Sequence, residues 1–177
     1  MKQYLDENKI TQNFREKLKD DHLYEKHKKS SKNSWLRPIL ILVEYFMSDD
    51  PKPKRIQTND FHVEHILPQK PTLSSQWAKD FSEEERERYT HSLANLTLLG
   101  GKKNTKALSQ ALNQDFKEKK EIYMGKLVVL DNKKTFKVMT CYDMTKNDVC
   151  RYTEWTPKSL EKREKDLMSI IESVLTL

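Results

Sequence analysis

Apolar residues recur along the chain in two rhythms, and the change from one to the other marks its elements. Trp35, Ile39, Leu42, Val43 and Phe46 return at helical spacing, and Pro38 is tolerable because it falls in the first turn, so a buried helix is predicted from Ser34 to about Met47. Asp49-Asp50-Pro51-Lys52-Pro53 ends that helix and links it to the next element. Over residues 61–65 the rhythm becomes alternating: Phe61, Val63 and His65 share one face of an extended segment, His62 and Glu64 the other, and Pro68 forces a departure. Leu96-Thr97-Leu98-Leu99 is a second short strand, with Gly100-Gly101 permitting a tight turn. Beyond it Ala107, Leu108, Ala111, Leu112 and Phe116 mark a helix with one apolar stripe.

Between the two strands, Ser82-Glu83-Glu84-Glu85 is a capping-box signature that opens a charged helix through about His91, expected to be an exposed insertion. Further on, Lys126–Leu130 and Thr135–Met139 flank Asp131-Asn132-Lys133-Lys134 as a hairpin. Thr156-Pro157 then starts a C-terminal helix whose stripe is Leu160, Leu167, Ile170, Ile171 and Val174. Residues 1 to about 33 are charge-dense, closing with Lys26-His27-Lys28-Lys29-Ser30-Ser31-Lys32, and read as a solvated, partly mobile arm. The fold class expected is α+β. Three parts make it up, an N-terminal arm and helical layer (1–58), a central core (59–124), and a hairpin with its closing helix (125–177), together one compact domain.

Composition narrows the partner. The chain has 177 residues, enough for a real core, and at 36% hydrophobic and 34% charged it is polar without being disordered. An excess of Lys and Arg gives a net charge of +6 and a pI near 9.1, which suits a polyanion without requiring one. Two cysteines, Cys141 and Cys150, form neither a CxxC zinc clamp nor a disulfide framework. The longest apolar run, Ile39–Val43, is far short of the ~20 residues that cross a bilayer. With no apolar stretch at Met1–Asp6, a cytoplasmic protein with no membrane partner is expected.

The candidate chemistry lies in Phe61-His62-Val63-Glu64-His65-Ile66-Leu67-Pro68-Gln69, followed by Asn95-Leu96-Thr97-Leu98-Leu99 and Lys103-Asn104-Thr105-Lys106. An acid stands beside a histidine, an asparagine precedes a short strand, and a second asparagine opens a helix-like segment. Those are the parts needed to hold one divalent cation and one general base against a phosphodiester. His65 suits the base, because an ordinary imidazole is mostly neutral at pH 7. Glu64 and Asn104 can offer oxygens to a hard cation whose remaining positions go to phosphate and water; a solvated strand carboxylate and a helix N-cap are their plainer roles. Lys102, Lys103 and Lys106 surround Asn104 at a helix N-terminus, where backbone phosphates are favoured and bases are not read. His62 could be a third ligand, a phosphate contact or a strand residue, and His91 could reach substrate. A zinc site of His62, His65 and His91 lacks a fourth ligand and the HExxH arrangement.

This motif set resembles that of the HNH (His-Me finger) endonucleases, and is most similar to the C-terminal nuclease domain of the GmrSD-type restriction enzymes, which cut modified phage DNA. The resemblance implies a ββα-metal finger, one Mg2+ or Mn2+ ion on Glu64 and Asn104, His65 as base, and DNA cut to 5′-phosphate and 3′-hydroxyl ends. Asn95 matches the middle asparagine of the motif, which ties the loop backbone and aims the histidine. His62 stands where many HNH enzymes carry a second acid, whereas the glutamate at position 64 is like the GmrSD group. Ser109, Asn113, Phe116, Lys120 and Tyr123 match the helix that comes after the site, and Trp155-Thr156 with Arg163 and Leu167 looks like the closing helix. No Asp-Gly-Gln-Gln-Arg-like motif or Gly-rich phosphate loop is present. Any nucleotide hydrolysis or sensing of modified bases is therefore expected from a domain or subunit outside this chain. The alternative expectation is a nucleic-acid-binding or interaction module that keeps the scaffold without turnover.

Overall fold

Where the apolar rhythms change, the backbone changes with them in the computed structural model, which describes residues 9–29, 34–49, 55–56, 61–100, 113–129, 135–137 and 141–175. The elements are α1 (Ile10–Leu18), α2 (Leu23–Lys29), α3 (Leu36–Met47), β1 (Phe61–His65), α4 (Gln76–Asp80), α5 (Glu83–Thr90), β2 (Leu96–Gly100), α6 (Phe116–Tyr123), β3 (Leu127–Val129), β4 (Thr135–Lys137) and α7 (Pro157–Leu175). The mixture of helices with small antiparallel sheets is α+β. A 3-10 turn at Leu93–Asn95 leads into β2, and a π-helical turn at Met144–Asp148 runs into another 3-10 turn at Val149–Arg151.

β1 and β2 form an antiparallel ribbon in the register Phe61↔Gly100, His62↔Leu99, Val63↔Leu98, Glu64↔Thr97 and His65↔Leu96. Directly opposed residues share a face. Phe61, Leu96 and Leu98 therefore pack on one side into a core with Leu18, Leu23, Leu40 and Val43 of the N-terminal helices and Leu167 and Ile171 of α7. On the other side Leu99 joins a second core built from Trp77, Phe81, Phe116, Tyr123 and Trp155. Each fully buried leucine in these cores is worth about 1.5–3 kcal/mol. The ribbon is thus the shared wall between two apolar layers, and its exit at Ile66 and Leu67, both fully buried, packs into the second of them.

Two expectations need correction. The charge-dense N-terminal stretch is not an arm over residues 9–29: Leu18 and Leu23 are 1% and 2% exposed, and their burial outweighs the solvation of the charges around them. The spacing Ile10, Phe14, Leu18 was the available signal. Phe116 likewise does not close a helix begun at Ala107; it starts α6 after Asp115 at its N-cap. Most of that expected helix, together with Asn104, Lys102, Lys103 and Lys106, lies outside the described residues, as do the centre of the β3–β4 hairpin and the Asp50–Pro53 linker.

The capping box at α5 forms as written in the sequence, with Ser82 Oγ accepting from Glu85 N–H at 3.1 Å and Glu85 Oε2 accepting from Ser82 N–H at 2.7 Å. The insertion is less exposed than expected, because Trp77, Phe81 and Tyr89 are buried. α7 begins at Pro157, with Thr156 Oγ1 accepting from Ser159 N–H at 3.4 Å.

Candidate active site

The site is the exit of β1. Asn95 is fully buried, and its carboxamide uses every face it has. Its Oδ1 accepts from Leu67 N–H at 2.7 Å and from the Trp155 indole N–H at 3.2 Å. Its Nδ2 donates to the carbonyls of Leu67 and Thr90, both at 2.9 Å. The Asn95 carbonyl accepts from Ile66 N–H at 3.0 Å. Residues 66 and 67 are therefore held by three bonds to one residue. No apolar side chain could satisfy donors and acceptors in that pattern, and aspartate could not donate.

Arg163 of α7, fully buried, braces the same turn from behind. Its Nη1 donates to Ala94 O at 2.5 Å and Leu96 O at 2.8 Å, and its Nε to Asp148 Oδ2 at 2.7 Å. Arg163 thus reaches the backbone on either side of Asn95, while Trp155 reaches its side-chain oxygen.

His65, at the end of the strand so clamped, is 6% exposed. Its Nδ1 meets Gln69 Nε2 at 3.1 Å and its Nε2 meets His91 Nδ1 at 3.3 Å. The Tyr24 ring stands edge-on to it at 4.3 Å and lies stacked on His91 at 6.0 Å. Burial, with lesser pushes from His91, Lys119 and Lys28, lowers the His65 pKa to about 3. The imidazole is consequently neutral at any physiological pH, and burial makes it a weaker proton acceptor than an ordinary imidazole.

Glu64 leaves the strand on the opposite face. Its Oε1 is 2.9 Å from the Lys119 ammonium and accepts from Tyr123 O–H at 3.3 Å. Lys119 is 1% exposed and also donates to the carbonyls of His65, at 2.5 Å, and Ile66, at 2.8 Å. Burial depresses its pKa and Glu64 raises it; with a carboxylate and two carbonyls as partners, the charged form is the one this pocket serves. The ammonium thus ties the Glu64 side chain to the backbone at His65, although the two side chains face different neighbours. Nothing in the sequence singled out Lys119, since a lysine in a charged helix reads as solvated.

For a divalent cation the fit rests on Glu64. Among the described residues no group of three or more His, Cys, Asp or Glu is arranged to hold a metal. Among the described residues the contacts to the Glu64 carboxylate, from Lys119 and Tyr123, fall on Oε1, so Oε2 is the oxygen the donor set offers. His62 sits mid-strand opposite Leu99 and half-buried.

Beside β1 a cleft of about 430 Å3 is lined by Tyr24, His27, Lys28, Arg37 and Val63. It combines cationic and aromatic side chains with the apolar Leu36 and Pro38 next to the His65 cluster. Among the described residues no helix is long and apolar enough to cross a membrane.

Against known protein families, the model "GmrSD restriction endonucleases, C-terminal domain" matches residues 9–170. No curated protein and no solved structure matches.

Proposed function

Because the chain belongs to the family of GmrSD restriction endonuclease C-terminal domains, we propose that it is a metal-dependent DNA endonuclease of the HNH type, acting in the restriction of foreign or modified phage DNA. The observation that carries the reading is the clamp itself: a buried, neutral imidazole at a strand end whose exit is fixed by Asn95, with a carboxylate as its chain neighbour.

In this reading His65 takes a proton from water as the water oxygen bonds to phosphorus. The bond from phosphorus to the 3′ oxygen breaks, leaving 5′-phosphate and 3′-hydroxyl ends. Glu64 and Asn104 would hold one Mg2+ or Mn2+ ion, which supplies charge neutralisation at the phosphoryl oxygens and the leaving oxygen. Asn95 positions the histidine through the backbone, where ~1 Å of misplacement can cost a hundredfold in rate. Lys119 keeps the Glu64 side chain extended along the wall of the site. Lys102, Lys103, Lys106 and His62 are assigned to phosphate contacts on the DNA backbone, with the basic cleft beside β1 continuing the track. Nucleotide hydrolysis and recognition of base modification are assigned to a separate domain or subunit, and the place of work is the cytoplasm.

Plasmid nicking with Mg2+ or Mn2+ tests this. Wild type cuts, chelator stops it, and His65→Ala cuts at least a hundredfold more slowly; cutting that is indifferent to chelator or to His65→Ala refutes the mechanism. A second reading, a DNA-binding module without turnover, is favoured by the ion pair that already occupies Glu64 Oε1. It predicts salt-sensitive DNA binding with no cleavage under any divalent ion.

A further inference from the structure

The structure surrounds His65 with groups that the proposed nuclease chemistry does not itself require. His91, at the C-terminal end of α5, places Nδ1 at 3.3 Å from His65 Nε2 and Nε2 at 3.5 Å from the Glu25 carboxylate of α2. α2 is anchored to the same place by its backbone, since Tyr24 N–H donates to the His91 carbonyl at 3.0 Å. Tyr24 then covers both imidazoles, edge-on to one and stacked on the other.

The polarity along this row favours one arrangement. A carboxylate cannot donate, so Glu25, 3.5 Å away and close enough to act by its charge, favours a proton on His91 Nε2. A neutral His91 protonated at Nε2 has its lone pair at Nδ1, which must receive a proton from His65 Nε2. A neutral His65 protonated at Nε2 has its lone pair at Nδ1. That atom faces Gln69, an exposed residue whose amide Nε2 is 3.1 Å away. That lone pair accepts from the Gln69 amide N–H and points to the side where an incoming water or phosphate displaces only an exposed amide. The opposite tautomer of His65 would set two lone pairs against each other at 3.3 Å unless His91 also turned its proton away from Glu25.

We propose that Glu25 and His91 are positioning residues, a carboxylate–imidazole brace that fixes His65 as its Nε2–H tautomer and thereby makes Nδ1 the proton-accepting atom. The proposal rests on the reading of His65 as the general base, and it adds to that base a partner contributed by the N-terminal helical layer. Outer partners that set a histidine's tautomer commonly change activity by about 10- to 100-fold.

The test pairs kinetics with an NMR readout that does not depend on activity. Long-range 1H–15N spectra of the full chain at pH 7.5 report which ring nitrogen of His65 carries the proton. Wild type shows the Nε2–H pattern. His91→Phe keeps a ring against Tyr24 but cannot accept; it shifts His65 toward a tautomer mixture and lowers kcat by about 10- to 100-fold with KM within about twofold. His91→Asn, whose Oδ1 can accept in place of Nδ1, recovers both readouts toward wild type. Glu25→Met, at a half-exposed position, moves both in the direction of His91→Phe by a smaller factor. An Nδ1–H pattern in wild type, or a His91→Phe protein with unchanged tautomer and unchanged kcat, overturns the brace. If wild type cuts no DNA, the assignment of His65 as base fails, while the spectra still decide for or against the brace.

Discussion

Replacing Asn95 is the sharpest test of how the site is held. Asn95→Ala removes both ends of the carboxamide at once, so Leu67 N–H, Leu67 C=O, Thr90 C=O and the Trp155 indole N–H each lose a partner. Asn95 is completely buried, so water does not replace it without opening the core. A buried polar group left unpaired costs about 1–3 kcal/mol, and four such groups sum to at least ~4 kcal/mol even at the low end of that range. Against a total stability of ~5–15 kcal/mol, the alanine protein sits at the edge of folding. Asn95→Asp is the finer probe. Its carboxylate can accept from Leu67 N–H and Trp155, but it faces the Leu67 and Thr90 carbonyls with no proton to offer, which adds repulsion to the loss. Urea unfolding followed by tryptophan fluorescence should place Asn95→Ala lower by ~4 kcal/mol or more with an unchanged m value. Asn95→Asp should recover part of its deficit, relative to wild type at the same pH, on acidification, as the protonated carboxyl regains one donor. A loss below ~1 kcal/mol for the alanine variant, about what a single ordinary hydrogen bond contributes, would show that the loop does not depend on this residue.

Two more outcomes arise from buried charge. Burial holds His65 neutral with a pKa of about 3, whereas an unfolded chain protonates the same imidazole near ~6.5. Between those values the unfolded state binds more protons, so stability falls as pH drops below ~6.5, and this group alone removes roughly 2–3 kcal/mol between pH ~6 and ~4. The difference in unfolding free energy between wild type and His65→Gln, measured across that window, should carry the slope; parallel pH profiles would refute it. Lys119→Met removes the cation from a pocket that holds Glu64 and the His65 and Ile66 carbonyls. Breaking a buried pair typically costs ~3–5 kcal/mol, and a thermal-denaturation scan showing no loss would mean that the ammonium is dispensable to the strand exit.

Much of this architecture was legible in the sequence because short-range rules decide it. The alternation at 61–65 places Glu64 and His65 on opposite faces, and the register confirms it. Ser82 and Glu85 fix their helix start through two reciprocal bonds that depend on nothing distant. What escaped was set by long-range partners. Leu18 and Leu23 are sparse among charges, and only the apolar layer beneath α1 and α2 shows that they are core. The stretch around Met144 has no simple periodicity, and its turn is held by the buried Glu44 carboxylate accepting from Asp143 N–H at 2.8 Å and Met144 N–H at 2.9 Å. At the site, the resemblance pointed to Asn95 as a structural tie and also to Trp155 and Arg163, though not to the Asn95 oxygen and the backbone carbonyls to which these two donate. Lys119 looks like an ordinary surface residue until the strand exit is seen beside it, and His91, which the sequence offered as a substrate contact, stands against His65 instead.

The bracing of the Asn95 turn by Trp155 and Arg163 sets a schedule for biosynthesis. A chain emerging from the ribosome exposes the strand carrying Glu64 and His65 long before position 163 has been translated. Until that arginine arrives, the Ala94 and Leu96 carbonyls lack the guanidinium that immobilises them. The strand exit of a polypeptide built this way is therefore completed late, and a chain ended by premature termination between Asn95 and Trp155 would lack both braces.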